Sequence, residues 1–150
     1  MTERSIAHGS FTVERHLDAA PARVFQAWAD PREKQQWFGD SGDSNGTLDF
    51  REGGREYNAG KMGEDTDYAF DCTYRDIVEN NRIVYNYEMH LNGQRISVST
   101  AAIELRPEGA GTHLVVTEHG VFLDGLDNVD QRRQGTEYLM DLLAGYINKP

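Results

Sequence analysis

Apolar and polar residues alternate along most of this chain and fall into a three-to-four spacing in two places. Between Phe11 and Leu17, Phe11, Val13, Arg15 and Leu17 share one face while Thr12, Glu14 and His16 share the other, the pattern of a half-buried strand. Asp18-Ala19-Ala20-Pro21 then opens a helix, with Pro21 in its first turn and Val24, Phe25 and Trp28 on its apolar face. Asp30-Pro31 ends that helix and starts a short second one, Arg32 to Trp37. Ser41 to Thr47 is rich in Gly, Ser, Asp and Asn and reads as a loop. Thr47 to Arg51 and Arg55 to Ala59 read as short strands joined at Gly53-Gly54, with a mobile loop from Gly60 to Asp65. Four longer strands follow: Asp67 to Val78, Arg82 to Leu91, Arg95 to Leu105 and Thr112 to His119. Their connections are turn-formers, of which Asn92-Gly93 is the strongest hairpin signal. Gly120 to Asp127 reads as a linker into the last element.

That element, Asn128 to Asn148, is a long amphipathic helix. Leu139, Leu142, Leu143, Tyr146 and Ile147 form one stripe of a 3.6-residue period, which thins toward Thr136, Gly135 and Arg132. One half of the helix can seal a core and the other can face a space. Hairpin connections make an antiparallel sheet. Seven strands with their helices on one face give an α+β fold.

Length and composition fit that picture. The 150 residues suit one domain, expected over 11–150 after a polar, frayed N-terminus at 1–10, and 38% hydrophobic content can supply a core. The first ten residues hold no apolar signal-peptide region, which makes a cytoplasmic location the default. A formal net charge of −10 disfavours binding to nucleic acid or to anionic membranes. The lone cysteine, Cys72, excludes an internal disulfide and lies in an alternating stretch, as a small buried hydrophobe or as a reactive thiol.

The words that accompany this order carry a resemblance. Phe11-Thr12-Val13-Glu14-Arg15 runs into Ala20-Pro21-Ala22-Arg23-Val24-Phe25, then Ala27-Trp28-Ala29-Asp30-Pro31 and Gln36-Trp37-Phe38-Gly39. Asp49-Phe50-Arg51-Glu52-Gly53-Gly54 supplies a strand–Gly–Gly corner, and Tyr74-Arg75-Asp76-Ile77-Val78 precedes Arg82-Ile83-Val84-Tyr85. Gly111-Thr112 leads to Thr117-Glu118-His119-Gly120-Val121-Phe122-Leu123-Asp124-Gly125, and Gly135-Thr136 lies in the final helix. From about Phe11 to Ile147 the chain resembles the START-like, or SRPBCC, superfamily, in the branch related to the activator of the ninety-kilodalton heat-shock chaperone ATPase. The resemblance implies a helix-grip fold: a curved antiparallel seven-stranded sheet wrapped around a long C-terminal helix, with two short helices after the first strand. It is specific for fold and poorly specific for activity, because the superfamily spans lipid carriers, receptors, polyketide cyclases and oxygenase domains.

Such a fold leaves a gap between curved sheet and straight helix, the usual form of a small-molecule site. Tyr68, Phe70, Cys72 and Tyr74 share one strand face, and Ile83, Tyr85, Tyr87, Met89 and Leu91 share the next. These faces either fill an ordinary core or line a tyrosine-rich cavity. Trp37 and Phe38 either anchor the short helices or form a lid. Gly135 provides either close packing on the sheet or room for a ligand. With Leu139 and Leu143 of the helix, the candidate ligand-binding residues are Trp37, Phe38, Tyr68, Phe70, Tyr85, Tyr87, Met89, Gly135, Leu139 and Leu143. Arg15, on an apolar strand face, needs a carboxylate or an anionic ligand as partner.

Glu118 and His119 are neighbours on a strand and point to opposite faces, so they cannot act directly on one substrate atom. His113 and His119 lie roughly 20 Å apart along the strand, too far for one metal. His8, His16 and His90 show no ligand spacing either, and nothing implies a metal, a cofactor or a phosphate-binding loop. The leading expectation is a binder of a small hydrophobic or aromatic molecule, lipids included. A polyketide cyclase/aromatase-like enzyme using Tyr87, Glu118 or His119 for proton transfer is the second. A chaperone-activating interaction module is the third, by analogy with the branch; the eukaryotic co-chaperone carries a further N-terminal domain for which this chain has no room. A homodimer is compatible with a domain of this size.

Overall fold

The computed structural model describes residues 3–38 and 45–149. Residues 41–44 of the expected loop, and Gly39, lie outside the described residues. Seven antiparallel strands form one curved open sheet in the order β1-β7-β6-β5-β4-β3-β2. They are β1 (Ile6–Leu17), β2 (Asn45–Leu48), β3 (Arg55–Met62), β4 (Thr66–Val78), β5 (Arg82–Leu91), β6 (Gln94–Glu108) and β7 (Gly111–Leu123). Helices α1 (Pro21–Ala29) and α2 (Pro31–Lys34) follow β1, and α3 (Val129–Ile147) ends the fold. The meander from β2 to β7 follows from the hairpin turns, and β1 closes on β7 over its whole length. At the Asn92-Gly93 turn both residues have positive φ, 51° and 78°, as a two-residue hairpin of type I′ requires.

Several boundaries differ from the sequence pattern. Strand β1 starts at Ile6 rather than Phe11, because Ile6 to Ser10 pair with Leu123 to His119 although their side chains stay largely exposed. Backbone pairing, invisible to hydrophobic alternation, thus replaces the expected frayed end. The same pairing extends β7 to Leu123, so the expected linker from Gly120 shrinks to the segment after it. The expected loop from Gly60 is strand as far as Met62, with Lys61 and Met62 paired to Asp67 and Thr66, and turns only around Gly63. Strand β2 covers Asn45 to Leu48 instead of Thr47 to Arg51. Helix α2 is shorter than expected, ending at Lys34 before Trp37.

The helices start where local chemistry lets them. Pro21 and Pro31 occupy first-turn positions, where a missing N–H costs nothing, and the Asp30 carboxylate accepts from Arg32 N at 2.9 Å. Asn128 caps α3 by accepting from Gln131 N at 2.9 Å. The inward stripe of α3 centres on Met140 and Leu143, the fully buried positions, with Leu139, Leu142, Tyr146 and Ile147 half-buried beside them. Its C-terminal half is tied down by Arg15 Nε donating to Asp141 at 2.9 Å, and by Asn148 Oδ1 accepting from Asp18 N at 2.9 Å. Asp141 is the carboxylate partner that Arg15 required; the pair sits at the surface and not in the core. Among the described residues, no helix is long and apolar enough to cross a membrane.

Candidate functional site

The N-terminal half of α3 does not lie flat on the sheet. Between them is a cavity of about 200 Å³. Alternation aims the inward faces of β4 and β5 at it: Tyr68 and Phe70 from β4, and Tyr85, Tyr87 and Met89 from β5. Ile103 of β6 and Val116 of β7 form the floor, and α3 contributes Arg132, Gly135, Thr136, Leu139 and Met140 as the roof. Phe38 and Trp28 close one end. The aromatic wall is self-supporting. Phe38 meets Phe70 edge-on at 5.1 Å between ring centroids, and Phe70 meets Tyr87 at 5.0 Å. Next to the cavity, Met62 at the end of β3 and Tyr138 on α3 are exposed and flank a second depression. The two depressions share Met62, Tyr68 and Leu139, so the cavity opens between the β3–β4 hairpin and α3.

Of the sequence-predicted residues, Phe38, Tyr68, Phe70, Tyr85, Tyr87, Met89, Gly135 and Leu139 line this space. Trp37 and Leu143 do not. Trp37 is buried behind the cavity, its Nε1 donating to Ala27 O at 3.0 Å and its ring edge-on to Trp28, so it anchors the short helices. Leu143 is fully buried one turn beyond the cavity end. A Cβ built on Gly135 would meet only Arg132 Nη2, at 3.7 Å. Close packing therefore does not require a glycine there, and the residue leaves room.

One end of the cavity is polar. Glu118, 3% exposed, lies on the inward face of β7 opposite Ala101 and Phe11. Tyr87 donates its phenol to Glu118 Oε2 at 2.7 Å. Burial pushes the Glu118 carboxyl up to about 7, against the Tyr87 hydrogen bond and the positive charge of Arg132, which pull it down. Tyr87 and Tyr85 are pushed far up by burial and by the Glu118 charge, so both stay phenols. Arg132, on the α3 stripe, faces Asp127 with Nε 3.3 Å from Oδ2. Neither atom makes a well-formed hydrogen bond within the protein. His119 points outward and shares a 2.7 Å contact with Ser10 Oγ, so it takes no part. Among the described residues, no group of three His, Cys, Asp or Glu side chains is arranged to hold a metal.

A second buried pair stands behind Phe38. Lys34 Nζ donates to Glu56 Oε1 at 2.7 Å and to the Tyr74 hydroxyl at 3.2 Å, and sits 4.5 Å from the Phe38 ring centroid. Cys72 is fully buried beside it and its thiol is pushed up by burial, which makes it a hydrophobe and not a nucleophile. Nothing in the alternation marks Lys34 or Asp127. Lys34 lies in a polar tetrapeptide, and Asp127 in an irregular segment with no period to place it. Arg132 was detectable as a charged residue on an inward helical stripe.

The family model described as Activator of Hsp90 ATPase homolog 1-like protein matches residues 18–148. Among solved structures, an uncharacterized protein from Rhizobium leguminosarum superposes with a TM-score of 0.92 at 44% identity, covering 97% of this chain and 98% of that one. The Mll3558 protein of Rhizobium loti gives 0.89 at 38% identity, covering 95% and 99%. CalU16 of Micromonospora echinospora, at 22% identity and a TM-score of 0.64 over 97% and 85%, shares the fold. No curated protein matches the chain.

Proposed function

The chain belongs to the family of Activator of Hsp90 ATPase homolog 1-like proteins, and from that premise we propose that it binds a small hydrophobic or aromatic molecule between its sheet and α3. The observation that carries this is the cavity itself: about 200 Å³ walled by aromatic and aliphatic side chains, with a buried carboxyl at one end. Apolar walls supply affinity through burial, and a few placed polar groups fix orientation. A cavity on the order of 150 Å³ lined by apolar groups holds benzene, so this one suits an occupant of one or two rings. A cytoplasmic location, with neither nucleic acid nor membrane as partner, completes the proposal, and the net charge of −10 supports it. The test is a thermal-shift screen with fatty acids, flavonoids, aromatic polyketides and one- and two-ring aromatic compounds. Compounds of one or two rings should raise the melting temperature of the wild-type protein and not that of Gly135→Phe, whose side chain enters the cavity. Equal shifts for both proteins would place binding elsewhere.

The second reading is catalytic, of the polyketide cyclase/aromatase kind. What favours it is Glu118, a carboxyl that exchanges its proton near neutral pH on the wall of a largely apolar cavity and is oriented by Tyr87. His119 drops out of the candidate acid/base groups because it faces solvent. With an identified substrate, Glu118→Gln should abolish turnover and His119→Gln should leave it intact. Docking to the ninety-kilodalton chaperone would rest on the family description alone and forms no part of this proposal.

A further inference from the structure

Glu118 restricts what the occupant can carry, given the binding proposed above. Among the described residues it is the one carboxyl on the cavity wall. Tyr87 donates to Oε2, and Oε1 receives no hydrogen bond from any described residue. The charged and titratable groups that face it are Tyr85 and Tyr87 on β5, Arg132 on α3 and Asp127 just before α3. From β6 and β1 it faces Ala101 and Phe11, which carry no charge. Arg132 and Asp127 offset each other's charge at 3.3 Å. An ionised Glu118 is then met by the neutral Tyr87 phenol, by an Arg132 charge that Asp127 offsets in part, and by apolar walls.

An occupant that fills the cavity removes water from Oε1. That penalises the ionised form and leaves the acid unaffected. The acid, once dry, presents an O–H that needs an acceptor. A carbonyl oxygen supplies one, with no hydrogen of its own to compete. An ammonium group fits less well: it would lose its hydration and share the wall with the Arg132 guanidinium.

We infer that the occupant is a neutral aromatic molecule bearing a carbonyl oxygen, held by a hydrogen bond from the protonated Glu118 carboxyl, so that binding draws a proton from solvent wherever that carboxyl is ionised in the empty protein. The carboxyl is already half-protonated near neutral pH in the empty protein, at about 7, so little is needed to complete the uptake. The sign follows from linkage. Binding that raises a carboxyl's proton affinity is strongest below the free-protein value and weakens as pH rises through it.

Isothermal titration with 1-tetralone, tetralin and 1-aminotetralin tests this, because the three share a ring frame and differ in one group. At pH 6 and pH 8, in buffers of different ionisation enthalpy, 1-tetralone should bind about tenfold more tightly at the lower pH, and should take up close to one proton at pH 8 and almost none at pH 6. It should also bind more tightly than tetralin at pH 6. Glu118→Gln, which keeps a donor but cannot titrate, should bind 1-tetralone equally at both pH values; the wild-type slope stands as evidence should that variant fold poorly. Binding of 1-tetralone without pH dependence, or no more tightly than tetralin, overturns the inference and leaves the binding cavity standing. Tighter binding of 1-aminotetralin, strengthening toward pH 8, overturns it in favour of an ionised Glu118. No heat from any of the three, with no melting shift, overturns both the inference and the binding reading.

Discussion

Glu118 makes the protein less stable as pH rises, which is the opposite of an ion-paired carboxylate. Its folded-state value is raised from 4.5 to about 7, so between those values the folded chain holds a proton that the unfolded chain releases. Stability contributed by this group is therefore complete below about 4.5, declines through that window and is lost above 7. The full effect is on the order of 3 kcal/mol. Denaturant melts of the wild type and Glu118→Gln from pH 4 to pH 8 isolate it, because every other titrating group is common to both. Relative to the wild type, the Gln variant should gain stability steadily across the window; a constant difference would mean that Glu118 titrates normally. Lys34 and Glu56 pose the other residue-scale question. Each is about 95% buried by side chain, at 5% exposure, so removing one partner strands a charge. Lys34→Met should cost about 3–5 kcal/mol, and adding Glu56→Gln should restore a good part of it. Additive losses in this double-variant cycle would show that the two are not coupled.

Helix α3 joins two tasks in one element. Its C-terminal half packs Met140 and Leu143 into the core and is pinned by the Arg15–Asp141 pair; its N-terminal half carries Arg132, Gly135 and Thr136 over open space. Gly135 sits in mid-helix with a negative φ and only one atom near its missing Cβ, so Gly135→Ala should stabilise the fold by about 0.5–1 kcal/mol. A loss of stability on thermal or urea unfolding would mean that the helix lies closer to the sheet than the cavity implies. The half-and-half character of α3 was legible from its stripe, although nothing in that leucine register marks Met140, which lies off it, as the buried centre. The succession of hairpins from β2 to β7 was legible from the turns, since pairs such as Asn92-Gly93 specify hairpins locally, whereas the pairing of β1 with β7 was not. Nor were the ends of β1 and β7. Exposed residues such as Ile6 and His8 are held by backbone bonds to a strand more than a hundred residues away, and alternation carries no record of that.

At the scale of the whole molecule, a curved sheet and a single long helix leave a space that neither could enclose alone. Tyr68, Phe70, Tyr85, Tyr87 and Met89 border it because period-two alternation fixes which strand residues point inward once the sheet is placed, while Phe38 reaches it from just after α2 and Gly135 and Leu139 from α3. Its polar end was legible only in part. Tyr87 and Glu118 could be named from their strands, but their meeting depends on β5 and β7 flanking β6, a fact of topology and not of local sequence. The most direct test of the central claim is a crystal structure of the protein soaked with 1-tetralone. The ligand is expected under α3, its rings between Phe38, Tyr87 and Leu139 and its carbonyl oxygen within hydrogen-bonding distance of Glu118. A structure in which those side chains have closed the space, with no ligand density beneath the helix, would contradict it.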